Sequence, residues 1–115
     1  MAVTIYHNPR CSKSRQTLEL LEEKGIKPEI IEYLLSPPSA DELKNILNIL
    51  GISARELMRK KEAAYHENGL DDGNLSEDEL VDAIIKNPIL IERPIVVSKG
   101  KAAIGRPPEN VLAVI

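Results

Sequence analysis

The sequence predicts an α/β fold built on a four-stranded mixed sheet, and three observations lead to this class. An apolar, β-prone run at Val3–Tyr6 gives way to a turn and then to a helical segment from about Ser12 to Lys24. Three helix-capping patterns follow in the middle of the chain. Two short β-prone runs with the spacing of a hairpin come near the end. Strands at both ends with helices between them favour a sheet with helices packed on it.

The first strand and helix are followed by a second strand. His7-Asn8-Pro9-Arg10 has the composition of a turn that joins the first strand to the helix. Gly25 suits the end of that helix, because glycine readily adopts the left-handed conformation common there. The next β-prone run, Ile30–Leu34, completes a β-α-β unit. The two strands of such a unit are expected to be parallel.

The middle of the chain is predicted to be helical. A serine followed three residues later by a glutamate forms a capping box, in which each side chain bonds a free backbone N–H of the first helical turn. The pattern occurs at Ser39 with Glu42, at Ser53 with Glu56 and at Ser76 with Glu79. The first of these helices has an apolar face with helical spacing and is expected to end at Gly51. The face consists of Leu43, Ile46, Leu47 and Leu50.

A hairpin and a short helix are predicted at the end of the chain. The runs Pro94–Ser98 and Ala102–Ile104 are separated by Lys99-Gly100-Lys101, which favours an antiparallel pair. Pro107 or Pro108 opens the short helix, since a missing N–H is harmless at the first helical position. Its apolar face is predicted to consist of Val111, Leu112 and Ile115. The order β-α-β, helical insertion, β-β-α is that of a thioredoxin-like fold.

Length and composition restrict the classes of function. The 115 residues fit one domain, residues 1–115, and 43% hydrophobic with 29% charged residues is ordinary for a folded protein. A net charge of -3 gives no general attraction to nucleic acid. No apolar run approaches the roughly 20 residues of a membrane helix, and no signal peptide is recognisable. We therefore expect a cytoplasmic monomer that binds neither nucleic acid nor a membrane.

Cys11 is the only cysteine in the sequence, so the sequence itself offers no internal disulfide and no cysteine-rich zinc site. It lies at the predicted start of a helix, where unpaired N–H groups and the helix dipole stabilise a thiolate. The flanking side chains add positive charge and hydroxyl donors: Arg10, Ser12, Lys13, Ser14 and Arg15. A lone cysteine is more often a small buried hydrophobe. The polar, turn-forming neighbours of Cys11 favour a reactive nucleophile instead.

Three arginines and one histidine are further candidates for a site. Arg93 and Arg106 each stand immediately before a proline, a position biased toward extended backbone. Such a position can aim a guanidinium across the end of the sheet, and its fork of donors suits a tetrahedral oxyanion. A single arginine is more often a surface residue, and Arg59 is not distinguished by its spacing. His7 can stabilise a thiolate or bond the backbone, and both interpretations stay open.

Short segments along the whole chain match one known family. They are Ile5–Cys11 with Ser14-Arg15, Tyr33-Leu34, Pro37-Pro38, Gly51-Ile52, Arg55–Lys60, Asn87–Val97 and Gly105-Arg106-Pro107. This ordered set around a single cysteine resembles the glutaredoxin- and glutathione-dependent arsenate reductase family, the ArsC type with a thioredoxin-like fold. The resemblance implies that Cys11 is the nucleophile, that three arginines bind the oxyanion and that Pro94 is a cis proline. The resulting assignment is catalytic Cys11, His7 and Ser14, with Arg59, Arg93 and Arg106 for substrate binding.

The resemblance also implies a reaction. The Cys11 thiolate attacks arsenate and forms a covalent adduct, glutathione resolves the adduct as an external reductant, and glutaredoxin reduces the remaining mixed disulfide. The implied product is arsenite. No bound cofactor and no metal are expected.

Alternatives remain at the level of the sequence. Family members that reduce arsenate commonly have Gly-Thr after the cysteine, whereas this chain has Ser12-Lys13. A glutathione-dependent thiol oxidoreductase, or a thiol-based regulatory protein without arsenate turnover, therefore stays open. A tyrosine-phosphatase-like loop needs an arginine where this chain has Thr17. A regulator with an internal disulfide switch needs a cysteine where this chain has Ser14.

Overall fold

The computed structural model describes residues 2–115 and confirms the α/β class with a four-stranded mixed sheet. The strands are β1 (Val3–His7), β2 (Glu29–Glu32), β3 (Ile95–Ser98) and β4 (Lys101–Ile104). The helices are α1 (Ser12–Glu23), α2 (Ala40–Leu50), α3 (Ala54–Leu57), α4 (Ala63–Glu67) and α5 (Glu77–Lys86). Two 3₁₀ segments cover Pro88–Leu90 and Pro108–Ala113. Within residues 2–115, no helix has both the length and the apolar character needed to cross a bilayer.

The chain divides into two compact units. The first, called the sheet unit, consists of the chain up to Ser36 together with Arg93–Ile115, and it contains all four strands. The second, called the helical unit, is Pro37–Glu92 and contains α2 to α5. In sequence it is inserted between β2 and β3, as predicted. The expectation of one domain over residues 1–115 stays a prediction.

The order of strands in the sheet is β2-β1-β3-β4. β1 pairs with β2 in parallel, as the predicted β-α-β unit requires, and Ile5 stands opposite Ile30. The pairs β1–β3 and β3–β4 are antiparallel. One edge of the sheet therefore collects the carboxyl ends of β1, β2 and β4 and the amino end of β3. This is the predicted thioredoxin-like arrangement, and it brings distant parts of the sequence to a single edge.

The core of the sheet unit lies between the sheet, α1 and the last 3₁₀ segment. Its fully buried side chains include Ile5, Leu21, Val96 and Val111. The predicted apolar face of the last segment is wrong at Leu112, which is 39% exposed. A 3₁₀ helix has three residues per turn, so positions three apart share a face and adjacent positions do not. Val114 is accordingly the core partner of Val111.

The three predicted capping boxes are all present, with both hydrogen bonds of each box formed. Gly51 ends α2 in the left-handed conformation, with φ 71°. The sequence did not predict α4. Its N-cap residue is Glu62, whose side chain makes no capping hydrogen bond, so the usual signal for a helix start is missing. The capping boxes made α2, α3 and α5 recognisable in the sequence.

The second strand is shorter than predicted. It ends at Glu32, because the carbonyl of Glu32 accepts hydrogen bonds from the N–H groups of both Leu35 and Ser36, at 2.9 Å each. These bonds fold the chain into a turn immediately after the strand. Leu34 and Leu35 are therefore exposed turn residues and do not belong to the sheet.

Gly105 lies directly after β4, where the chain passes close to α1. Its N–H donates to the carbonyl of Pro94 at 2.8 Å. A Cβ atom at this position would lie 2.5 Å from Thr17 Oγ1 and 2.8 Å from Pro94 Cγ. Thr17 is fully buried on α1, and its hydroxyl donates to the carbonyl of Lys13 at 2.8 Å. Glycine is therefore needed for α1 and the end of β4 to approach this closely.

We expect the substitution Gly105→Ala to lower the free energy of unfolding by about 1 to 3 kcal/mol, the usual cost of overpacking a buried contact. Urea denaturation followed by circular dichroism measures the change. Gly73→Ala is the matched control, because a Cβ there meets nothing within 4 Å and no left-handed backbone is involved. A Gly105→Ala variant as stable as the Gly73→Ala control would contradict this account of the close approach.

Candidate active site

Cys11 is the N-cap residue of α1. Its backbone is extended, with φ -93° and ψ 123°, and its carbonyl accepts a hydrogen bond from the N–H of Arg15 at 3.0 Å. Its own N–H donates to the carbonyl of Asn8 at 3.0 Å. The side chain is half-buried. The sulfur therefore stands at the N-terminal end of α1, where the sequence predicted it.

The surroundings of Cys11 favour the thiolate. Burial raises the pKa of the thiol, but the backbone N–H groups of Ser14 and Lys13 and the guanidinium of Arg93 lower it, and the net pKa is below the ordinary value. The N–H groups in question belong to the first turn of α1, which has no carbonyl partners for them within the helix. The site therefore stabilises the negative charge that makes cysteine a nucleophile.

Two arginines lie beside the sulfur, next to the ends of β3 and β4. The side chain of Arg93 is near enough to lower the pKa of the Cys11 thiol. Arg106 Nη1 lies 3.8 Å from Cys11 Sγ and also donates to the carbonyl of Arg93 at 3.2 Å. Arg93 precedes β3 and Arg106 follows β4, so both stand at the sheet edge that carries the loop after β1. The Arg93–Pro94 bond is cis, as implied, and the Arg106–Pro107 bond is cis as well.

Ser14 and His7 form a buried pair beneath the loop. The distance between Ser14 Oγ and His7 Nδ1 is 2.7 Å, and Ser14 Oγ accepts a hydrogen bond from the N–H of Asn8 at 3.0 Å. Burial lowers the pKa of His7; Glu32 opposes this change and Arg15 adds to it, so the neutral imidazole is favoured. The Ser14 group that lowers the pKa of Cys11 is its backbone N–H. Direct catalytic roles for His7 and Ser14 stay predictions.

Arg59 belongs to the helical unit. Its Nη1 lies 3.2 Å from Glu92 Oε1 and its Nε lies 3.5 Å from Glu62 Oε1. A short antiparallel bridge between Met58 and Ile91 fixes the backbone beside it, and the N–H of Arg59 donates to the carbonyl of Leu90 at 2.7 Å. Its guanidinium is thus held by two carboxylates within its own unit.

Asn8 in the loop and Arg15 in the first turns of α1 have roles that the sequence did not assign. Arg15 was considered as a positive charge beside the sulfur, but its Nη1 donates to the carbonyl of Pro9 at 2.9 Å and braces the loop. Asn8 is buried, and its side-chain oxygen accepts a hydrogen bond from the N–H of Arg10 at 3.0 Å. The available signal was the Asn-Pro dipeptide, because asparagine side chains commonly bond the backbone two residues further on.

The arrangement has a definite chemical capability. A thiolate can attack an electrophilic atom, and two guanidiniums within reach of it can bind the oxygens of an anion and stabilise charge that develops on them. Since the guanidiniums also face the sulfur, they favour the ionised nucleophile before an anion arrives. The sheet unit therefore brings together a nucleophile and oxyanion donors.

Comparisons with known proteins identify the family of this chain. The model of the ArsC family matches residues 6–114. The uncharacterized protein YfgD of Escherichia coli K12 is 59% identical over 98% of this chain and 96% of its own length. An arsenate reductase of Neisseria meningitidis serogroup A is 56% identical over 98% of this chain and 97% of its own length. The solved structure of an arsenate reductase from Vibrio cholerae is 53% identical in sequence and has a TM-score of 0.97. The match covers 100% of this chain and 98% of that chain.

These similarities extend over almost the whole chain and are not confined to the cysteine loop. The match to the family model begins at the end of β1 and runs to Val114. The relatives share more than half of their residues with this chain. The protein therefore belongs to the ArsC family.

Proposed function

We propose that this protein reduces arsenate to arsenite, with Cys11 as the nucleophile and with glutathione and glutaredoxin as electron donors. The observation that carries the proposal is the Cys11 sulfur, with its lowered pKa, facing Arg93 and Arg106. The relatives from Neisseria meningitidis and Vibrio cholerae, which bear the name arsenate reductase, support arsenate as the anion. The surroundings of Cys11 and the similarity to these relatives support the proposal independently of each other.

In the first step of the proposed reaction, the Cys11 thiolate attacks the pentavalent arsenic atom. A sulfur–arsenic bond forms, one arsenic–oxygen bond breaks, and the departing oxygen leaves as water after protonation. Arg93 and Arg106 hold the remaining oxygens, and we assign Arg59 to the same task. Charged hydrogen bonds of this kind contribute about 1.5 to 3 kcal/mol each.

In the second step, a glutathione thiolate attacks the Cys11 sulfur. A disulfide forms between Cys11 and glutathione, and the electron pair of the sulfur–arsenic bond stays on arsenic, which becomes trivalent arsenite. Two thiols are oxidised to one disulfide while arsenic gains two electrons. A glutaredoxin thiolate then attacks the glutathione sulfur and releases the Cys11 thiolate for the next cycle.

The single cysteine supports an external donor. Delivery of electrons through an intramolecular disulfide requires a second cysteine within reach, and this sequence contains one cysteine only. The position three residues after Cys11, where a C-x-x-C motif would place its second sulfur, is the buried Ser14. A small thiol such as glutathione supplies the missing sulfur without that requirement.

The ionisation of Cys11 can be measured directly. We expect thiolate absorbance near 240 nm to titrate below the roughly 8.5 of an ordinary cysteine, because N–H groups and Arg93 stabilise the charged form. Arg93→Ala should move the midpoint upward. Cys11→Ser should remove the signal and serves as the blank. A wild-type midpoint at or above that of free cysteine would refute the activated nucleophile.

Turnover of arsenate can be measured in a coupled assay. With arsenate, glutathione, glutaredoxin, glutathione reductase and NADPH, we expect NADPH oxidation that depends on arsenate and disappears in Cys11→Ser. Arg93→Ala and Arg106→Ala should each lower kcat/KM roughly 10- to 100-fold, the equivalent of one charged hydrogen bond. Lys101→Ala is the matched control, since Lys101 is exposed at the opposite end of β4 from Arg106.

The same assay separates the proposed reaction from its rivals. Reduction of mixed disulfides by glutathione without any stimulation by arsenate would favour a thiol oxidoreductase and would overturn the arsenate assignment. Equal losses in Lys101→Ala and Arg106→Ala would show that the arginine effect is one of net charge. Turnover with thioredoxin alone and without glutathione would replace the donor system proposed here.

A further inference from the structure

We propose that Asn8 is a positioning residue for Cys11, which closes a hydrogen-bonded ring that ties the backbone of Cys11 to the first turn of α1. This inference rests on the proposed role of Cys11 as the nucleophile. Asn8 does not touch the sulfur in this account. It acts on the backbone that carries it.

The ring joins three residues spaced three apart in the sequence. The N–H of Asn8 donates to Ser14 Oγ at 3.0 Å, and the N–H of Cys11 donates to the carbonyl of Asn8 at 3.0 Å. The ring is completed by the covalent backbone of the first turn of α1, which runs from Cys11 to Ser14. Displacement of Asn8 therefore moves the N-cap residue relative to the first turn of the helix.

The side chain of Asn8 supplies the part of this arrangement that another amino acid would lack. Asn8 is 5% exposed, and its Oδ1 accepts the N–H of Arg10 at 3.0 Å. The intervening residue is Pro9, which has no N–H to donate. The amide oxygen and the main-chain carbonyl of Asn8 together therefore hold the N–H groups of Arg10 and Cys11.

The consequence for Cys11 follows from its position as an N-cap. Its backbone is extended, with φ -93° and ψ 123°, and the N–H groups of Lys13 and Ser14 in the first turn lower the pKa of its thiol. Burial of the sulfur opposes ionisation, so the thiolate depends on the stabilising effects of these N–H groups. A looser turn weakens them and leaves the effect of burial unchanged. The charged groups near the sulfur are Arg93, which precedes β3, and Arg106, which follows β4. Asn8 does not bond either of them.

The experiment is a pH profile of Cys11 alkylation by iodoacetamide in wild type, Asn8→Ala, Asn8→Ser and a control. Asn68→Ala is the control, because the Asn68 side chain also makes one hydrogen bond to the backbone, as a donor to the carbonyl of Ala64, but lies in the helical unit. In Asn8→Ala we expect the midpoint to move upward and the rate at pH 7 to fall roughly three- to tenfold, while the plateau at high pH is kept. Asn8→Ser should restore part of the shift, since a serine hydroxyl can bond the same N–H more weakly.

Each outcome of this experiment either supports or overturns the positioning role of Asn8. A profile of Asn8→Ala that coincides with wild type, or a fall of the high-pH plateau with an unchanged midpoint, overturns the positioning role. If Asn8→Ala is unfolded by circular dichroism, the profile of Asn8→Ser decides, and an unshifted midpoint there overturns it equally. Alkylation needs no arsenate, so a failure of arsenate turnover in wild type contradicts the proposed function and leaves the Asn8 result standing.

Discussion

The stabilisation of a Cys11 thiolate by the backbone N–H groups of Lys13 and Ser14, which lower the pKa of its thiol, is the interaction on which the other features of the sheet unit depend. Every α-helix begins with N–H groups that lack partners, and an oxygen of the N-cap side chain usually satisfies one of them. Serines do this for α2, α3 and α5. α1 has a cysteine at the corresponding position, so its unsatisfied donors stabilise a reactive anion where these three helices gain a structural cap.

A thiolate at this position requires support that a serine cap does not. The loop before α1 is held from both sides, by Asn8 on the turn and by Arg15 on the carbonyl of Pro9. The buried Ser14 of α1 and the buried His7 of β1 are joined by a side-chain hydrogen bond, which links the two elements that the loop connects. These bonds fix the backbone of the loop. The positively charged groups beside the sulfur come from a distant part of the sequence.

The positive charge beside Cys11 comes from the other end of the sequence because of the direction in which the strands run. β3 begins and β4 ends at the edge where β1 ends, so Arg93 and Arg106 arrive beside a cysteine that lies more than 80 residues earlier in the chain. The missing Cβ of Gly105 lets the end of β4 lie against Thr17 of α1. A bulkier residue there would displace the segment that carries Arg106, so the glycine and the arginine serve one arrangement.

Sequence reasoning predicted the parts of this arrangement that depend on local chemistry. Serine with glutamate three residues on predicts a helix start whatever surrounds it, and all three such starts are present. The α4 helix, which lacks a capping hydrogen bond, was missed, and Leu112 was placed in the core because an α-helix was assumed where a 3₁₀ helix formed. Hydrogen bonds such as that of Arg15 to Pro9 depend on the exact path of the loop, which no periodicity encodes.

The proposed chemistry uses the same charges twice, and this explains why nucleophile and anion donors share one edge. Before arsenate binds, the guanidiniums face the negative sulfur; after attack, that negative charge has passed to oxygens bound to arsenic a bond length or two away. The donors need little movement to follow it, which is the condition under which fixed charges stabilise a transition state most effectively. Arg59 differs, because Glu62 and Glu92 already neutralise it. In the proposed reaction an oxyanion has to compete with these two carboxylates for Arg59, whereas at Arg93 and Arg106 it takes over charge that the sulfur gives up.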